Sequence, residues 1–342
     1  MKKLFPGYYR PSEKEFAELW KTCLFAFDAN VLLNLYRYTP ETKTSLLAIL
    51  EKVSDRIWLP HQPAFEYHNK RLPVIQQQMN AYDGVLEAVR KSRDELKGRL
   101  NSFARHPSIQ IPEIMGTFNE ALEKFEETLT RLKKEHPDIR EDDPIMEAIT
   151  RLFDGKVGGP TLETERVKIF KEGEDRYKLK RPPGYEDHRK GAAAQYADLV
   201  MWFQLIDKAK ESKSPIIFVT DDRKEDWWLR TAEGRTVGPR PELVQEFFEK
   251  TSMAFYMYSA DPFMEYATKY LEQKVERKAI DEVREIRRRD ERSDRARRTL
   301  MDSSAYSAFE AARKEYEEME RARRTLMDSS AYSAFDGTFK SK

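Results

Sequence analysis

The sequence predicts an α/β fold: a doubly wound, mostly parallel sheet flanked by helices, with a long helical insert and a charged C-terminal tail, helical or disordered. Three observations predict it. Short, continuously apolar runs at residues 23–27, 215–219 and 253–258 have the composition of strands buried on both faces. Amphipathic stretches of helical period separate these runs. Acidic residues follow the strands, at the carboxyl edge where open α/β sheets build their sites.

Taken in order, Ser12 followed by EKEFAELWKT predicts a capped helix with Phe16, Leu19 and Trp20 on one face. CLFAF (23–27) is the first strand and ends at Asp28. ANVLLNLYRYTPETKTSLLAILEKV keeps helical spacing, with Thr39-Pro40 restarting the helix, and RIWLP (56–60) is a second short strand. Strand, helix and strand at this spacing make one βαβ unit.

Residues 64–100 and 112–136 are helical in period and heavily charged, so they predict two long helices forming a hairpin or arm within an insert at about 76–180. Such an arm is either a structural insert or a surface that grips an extended substrate or partner. GKVGGP (155–160) and KRPPGYEDHRKG (180–191) read as loops. The second is either an exposed connection or, through Lys180, Arg181, Arg189 and Lys190, a basic turn beside a phosphate backbone. A helix is expected over 192–210, with Asp198 near its start, then the strand at 215–219 and a loop at GRTVGPRP. A helix over 242–250, the strand at 253–258 and a last helix from Asp261 complete a domain spanning residues 1–271.

The composition shifts in the tail, 272–342. Residues 281–300 hold eight arginines against six acids, the pattern of a solvated helix or a mobile segment. RARRTLMDSSAYSAF occurs at 295–309 and again at 321–335, a period of 26 residues. Two copies are too few for a solenoid. They read either as a bivalent docking peptide or as a duplication without a selected role.

Composition narrows the function classes. With 61 basic against 60 acidic side chains, no global field steers the protein to nucleic acid, so any basic surface must be local. One cysteine, Cys23, excludes a disulfide framework and a cysteine zinc site. No run has the character of a signal peptide or a membrane span, and the expected setting is cytoplasmic, without a membrane partner.

The chemistry concentrates in VTDDRKEDWW (219–228) and in its counterparts along the chain. Asp28 ends the first strand, Glu66 follows the second, Asp198 opens the helix before the third, and Asp221 and Asp222 end the third. Each alone has a plainer reading: Asp28 as a helix cap, Glu66 as one charge on a helix face, Asp198 as a cap or the partner of a nearby lysine. Together, unpaired carboxylates at one sheet edge repel one another unless cations neutralise them, and an all-oxygen set suits Mg²⁺ or Mn²⁺, one or two ions. Asp226 is a further candidate ligand. His61, His68 and His188 have no zinc spacing.

FDANVLLNLYRY (27–38), LPHQPAFEYHNKR (59–71), QYADLVMWFQLI (195–206), IIFVTDDRKEDWW (216–228) and GPRPELVQEF (238–247) together resemble the PIN-like domain family. More narrowly, they resemble its branch with a large helical insert and a tryptophan pair after VTDD. The resemblance covers roughly residues 20–270, only weakly across the insert. It implies a metal-dependent nuclease, usually acting on RNA, in which Asp28, Glu66, Asp198 and Asp222 hold the ions and Asn30 and Thr220 support them. It also implies a setting in a toxin or phage-defence module, with a regulatory protein on the insert or tail.

Phosphate contacts are expected from Arg37, Lys70, Arg71, Arg189, Lys190, Arg223 and Lys224. Tyr36, Tyr185, Trp227 and Trp228 are open to stacking on unpaired bases, against a plainer role for the tryptophans in packing the loop. Two other readings stand beside the nuclease. One is a PIN-like interaction protein without catalysis. The other is a phosphatase of the haloacid dehalogenase type, which needs an aspartate where Asn30 stands.

Overall fold

The computed structural model describes residues 1–301 except 3, 141 and 192, together with 313 and 319. Residues 1–284 form one compact unit and a second begins at residue 285.

Helix α1 (Glu13–Thr22) starts at Ser12, whose hydroxyl accepts the Glu15 amide while the Glu15 carboxylate accepts the Ser12 amide, a reciprocal cap. Its buried face is Phe16, Leu19 and Trp20. Strand β1 (Leu24–Phe27) runs into α2 (Ala29–Asn34), and proline in the first turn starts α3 (Pro40–Lys52). Strand β2 is only Ile57–Trp58.

Helix α4 (His61–Leu100) has 40 residues, so it is about 60 Å long at the usual rise. It packs against α5 (Ile111–Glu135), and the pairs Asp83–Lys133 and Arg90–Glu126, both at 2.7 Å, fix the two as an antiparallel hairpin. That is the predicted arm.

Two further helices, α6 (Pro144–Phe153) and α7 (Glu163–Lys178), complete the insert. The GKVGGP loop does more than connect them. Its Val157 bridges to Leu59 in parallel and extends the β2 edge of the sheet.

Helix α8 (Ala197–Ser212) precedes β3 (Ile216–Val219). Strands β4 (Trp228–Arg230) and β5 (Thr236–Pro239) then pair antiparallel, where the sequence predicts only a loop. Three- and four-residue strands holding a glycine and a proline carry too little periodicity to be read. Helix α9 (Pro241–Thr251), strand β6 (Phe255–Tyr258), helix α10 (Ala260–Tyr270) and helix α11 (Arg277–Met301) follow. Residues 302–309 of the first tail repeat and all of the second lie outside the described residues.

The main sheet has the order β2-β1-β3-β6, and all three pairings are parallel. Chain direction across the sheet therefore reverses at β1 and β3, which become neighbours in the centre. All four residues of β3 are buried, as continuous apolarity predicts for a central strand. On one face Phe218 packs with Trp202, Trp227 and Phe247; on the other, Phe25 and Phe27 meet Trp20 and Phe263. This rigid centre delivers Asp28 and Thr220 side by side, since the Asp28 amide still donates to the Val219 carbonyl at 2.9 Å.

Candidate active site

A cleft of about 670 Å³ opens at the carboxyl ends of β1 and β3. Asp28, Glu66, Asp187, Asp198 and Asp222 line it, so it gathers acids from five segments. Lys70, Lys190 and Lys224 line it as well, with Phe65 and Phe170.

Asp28 is the most constrained of the acids. Its Oδ1 accepts the Ala29 amide at 2.6 Å, which caps α2. Its Oδ2 accepts the Thr220 hydroxyl at 2.6 Å and the Asn30 amide at 2.8 Å. Burial pushes its carboxyl up to about 7 against the Thr220 hydrogen bond, and the charges of Glu66, Asp222 and Asp198 add to the rise. The cap and the charged cluster are thus one residue in two roles.

Asn30 and Thr220 tie the two strand ends together. Asn30 accepts the Asp221 amide at 2.9 Å, and Thr220 Oγ1 accepts the Asp222 amide at 3.0 Å. The adjacent aspartates then diverge. Asp222 faces the cleft, whereas Asp221 is buried and accepts Asn34 Nδ2 and the Ala260 amide, both at 2.9 Å. Asp221 so joins α2 to the start of α10.

Lys224 lies in the middle of the acids. Its Nζ stands 2.8 Å from Asp198, 2.8 Å from Asp222 and 3.0 Å from Asp187. Burial disfavours its charge, yet Asp198, Asp222 and Asp187 outweigh burial and hold the ammonium well above its ordinary pKa. Burial likewise pushes Asp198 up, and Lys224 reverses this to leave it below the carboxylate range. Asp198 thereby has the lysine partner that its plainer reading proposed. Glu66 accepts Gln62 Nε2 at 3.1 Å and pairs with Lys70 on the next turn of α4.

Asp187 joins the site although KRPPGYEDHRKG has the composition of a basic loop. The segment is exposed at Lys180, Arg181 and from His188 to Gly191, as a connection would be, but residues 182–185 and Asp187 are buried. Asp226 fastens the turn: its Oδ2 accepts the amides of Gly184 at 2.8 Å and Glu186 at 3.1 Å. Asp226 is fully buried and does not line the cleft, and its Oδ1 has no hydrogen-bond partner among the described residues.

The basic candidates separate in the same way. Lys70, Lys190 and Lys224 line the cleft, whereas Arg37, Arg71, Arg189 and Arg223 do not. Arg71 binds Asp143 at 2.5 Å, beside a second cavity of about 650 Å³. All four aromatics considered for stacking are buried, which corrects that expectation for Tyr36 and Tyr185 and fits the plainer packing role of the tryptophans. Tyr36 donates to Asp143 at 2.6 Å, Tyr185 donates to Glu225 at 3.1 Å, and the tryptophans pack the loop: Trp227 lies against Phe218, and Trp228 Nε1 donates to the Asp222 carbonyl at 2.5 Å. Phe65, 55% exposed, is instead the open aromatic face of the cleft.

The donors suit a hard divalent ion, since carboxylates backed by a hydroxyl and an amide offer oxygen alone and repel one another without a cation. Among the described residues, no three His, Cys, Asp or Glu side chains are close enough to hold one as they lie. The Lys224 ammonium sits among them instead.

Among the described residues no helix is long and apolar enough to cross a membrane. No curated protein and no solved structure gives a significant match to the chain. A family model described as "PIN like domain" matches residues 24–243, from the start of β1 to the first turn of α9.

Proposed function

The chain belongs to the PIN-like domain family, and on that premise we propose that it is a nuclease dependent on Mg²⁺ or Mn²⁺, acting on RNA. The observation that carries the reading is the meeting of Asp28, Glu66, Asp198 and Asp222 in one cleft at the edge of the central strands. Asp28 and Asp222, with Glu66 and Asp198 beside them, would hold the ion. A divalent ion bound there supplies Lewis acidity, lowers the pKa of an attacking water and stabilises the leaving oxygen.

The chain's own residues do the rest. Thr220 and Asn30 hold Asp28 in one rotamer before substrate arrives. Lys70 and Lys190, both exposed on the rim, draw the phosphodiester in without reading its sequence. Phe65 offers one face to an unpaired base, which favours single-stranded over duplex substrate. No side chain needs to form a covalent intermediate: water would attack phosphorus as the bond to the 3′ oxygen breaks, so the products would be a 5′-phosphate and a 3′-hydroxyl.

The test is cleavage of end-labelled RNA and single-stranded DNA with Mn²⁺, Mg²⁺ or EDTA. Asp28→Ala and Asp222→Ala should each abolish metal-dependent cutting, and cleavage that survives both would refute the site. Such an activity, unrestrained, destroys the transcripts of its own cell, which supports a role as the effector of a toxin or phage-defence module. Expression of the wild type, but not of Asp28→Ala, should then arrest growth.

A further inference from the structure

Lys224 is an odd neighbour for a cation site. A lysine between the acids neutralises the repulsion that a divalent ion would otherwise relieve, and it occupies the space an ion needs. Its side chain is 13% exposed and points to Asp198, Asp222 and Asp187 at once. On the metal-site reading given above, we propose that Lys224 is the resident counter-ion of the cleft, that Asp187 is the positioning residue that keeps it there, and that an incoming divalent cation displaces its ammonium from Asp198 and Asp222.

Asp187 is built for this task. It is 4% exposed, which is rare for an aspartate in a loop. The turn that carries it is fixed twice over. Asp226 holds the amides of Gly184 and Glu186 from below. Gly184 has φ +94° and leaves no room for a side chain, since a Cβ would lie 2.4 Å from the Tyr177 hydroxyl. The segment 222–226 thus supplies both the lysine and, through Asp226, the anchor of the acid that holds it.

The arrangement is reversible at small cost. Lys190 also reaches Asp187, at 2.7 Å, and its side chain is 55% exposed. When Lys224 swings away, Asp187 keeps one cation and is not left buried and unpaired. The freed ammonium remains in the cleft, where it meets the negative charge of a bound phosphodiester. Cation entry and substrate capture are then coupled through one side chain.

The experiment is titration of the full chain with Mn²⁺ by calorimetry, with thermal unfolding in EDTA and in Mn²⁺, for the wild type, Lys224→Met and Lys224→Gln. Removing a competing charge beside the ligands should tighten Mn²⁺ binding roughly tenfold or more. Both variants should also unfold at lower temperature than the wild type in EDTA and recover with Mn²⁺. Equal Mn²⁺ affinity in all three proteins overturns the proposal and leaves the metal-site reading standing. A loss of stability that Mn²⁺ does not restore, or failure of both variants to fold even with Mn²⁺, also overturns it. Binding by the variants but not by the wild type supports the counter-ion and refutes the metal-dependent reading of the native chain; binding by none overturns both.

Discussion

The hydroxyl of Thr220 donates to the Asp28 carboxylate at 2.6 Å, across 192 residues of chain. The same oxygen accepts the Asp222 amide at 3.0 Å and Asn30 Nδ2 at 3.2 Å, so one buried threonine registers both strand ends. Thr220→Val keeps the volume and strips out three hydrogen bonds. It should lower stability by about 1–3 kcal/mol, read from denaturant midpoints, because the Asp222 amide and Asn30 lose their acceptor. Cleavage should fall with it, and Thr220→Ser, which restores the hydroxyl, should recover most of both.

Asp226 gives a pH dependence whose sign can be worked out. Burial pushes its carboxyl up to about 7, the charges of Asp198 and Asp222 add to the rise, and Lys224 and the Glu186 amide oppose it. An unfolded aspartate titrates at about 3.9. Between the two values the native state binds the extra proton, so this group's contribution to stability is full below the unfolded value and is lost as pH rises through about 7. Asp226→Asn keeps an acceptor for Gly184 and Glu186 and cannot ionise. The variant should lose less stability than the wild type between pH 5 and about 7.5, as melting temperatures over that range will show.

Gly184→Ala tests the turn that carries Asp187. The left-handed conformation costs a residue with a Cβ about 1–2 kcal/mol, before any clash with Tyr177 is counted. The melting temperature should drop, and the loss should exceed that of Gly159→Ala, where a Cβ meets nothing within 4 Å.

Phe65 is exposed at 55% and packs little, so Phe65→Ala should leave the melting temperature within error. If a base stacks on it, KM for single-stranded RNA rises about tenfold, since such stacking is worth roughly 1–3 kcal/mol. The kcat should hardly move, because a phenyl ring can neither hydrogen-bond to the acids nor hold an ion among them. An unchanged KM would remove Phe65 from the substrate path.

Much of this architecture was legible in the residues. Strands β1, β3 and β6 are continuously apolar because they are covered on both faces, and that composition needs no context to read. The positions of Asp28 and Asp222 at strand ends followed from the same runs. The division between Asp221 and Asp222 did not, since neighbouring residues leave a strand on opposite sides and a one-residue shift in its end exchanges their roles. Asp187 was hidden for a different reason. The turn that carries it is held by Asp226, which accepts the Gly184 amide from a segment 42 residues further along the chain, and loop text alone carries no trace of that contact. The tryptophan pair illustrates the converse, because indoles that close a core and indoles that stack on bases have identical sequences.

The neighbouring placement of β1 and β3 has a consequence for synthesis. Asp28 leaves the ribosome early, but its partners Thr220, Asp222 and Lys224 are translated only after the whole helical arm has emerged. A nascent chain therefore has no cleft until most of the domain has been made, and on the proposed function it could not cut the message from which it is being read. Premature termination anywhere in the arm yields a fragment lacking β3 and, of the five cleft acids, Asp187, Asp198 and Asp222, so on the proposed function an incomplete product would be inactive.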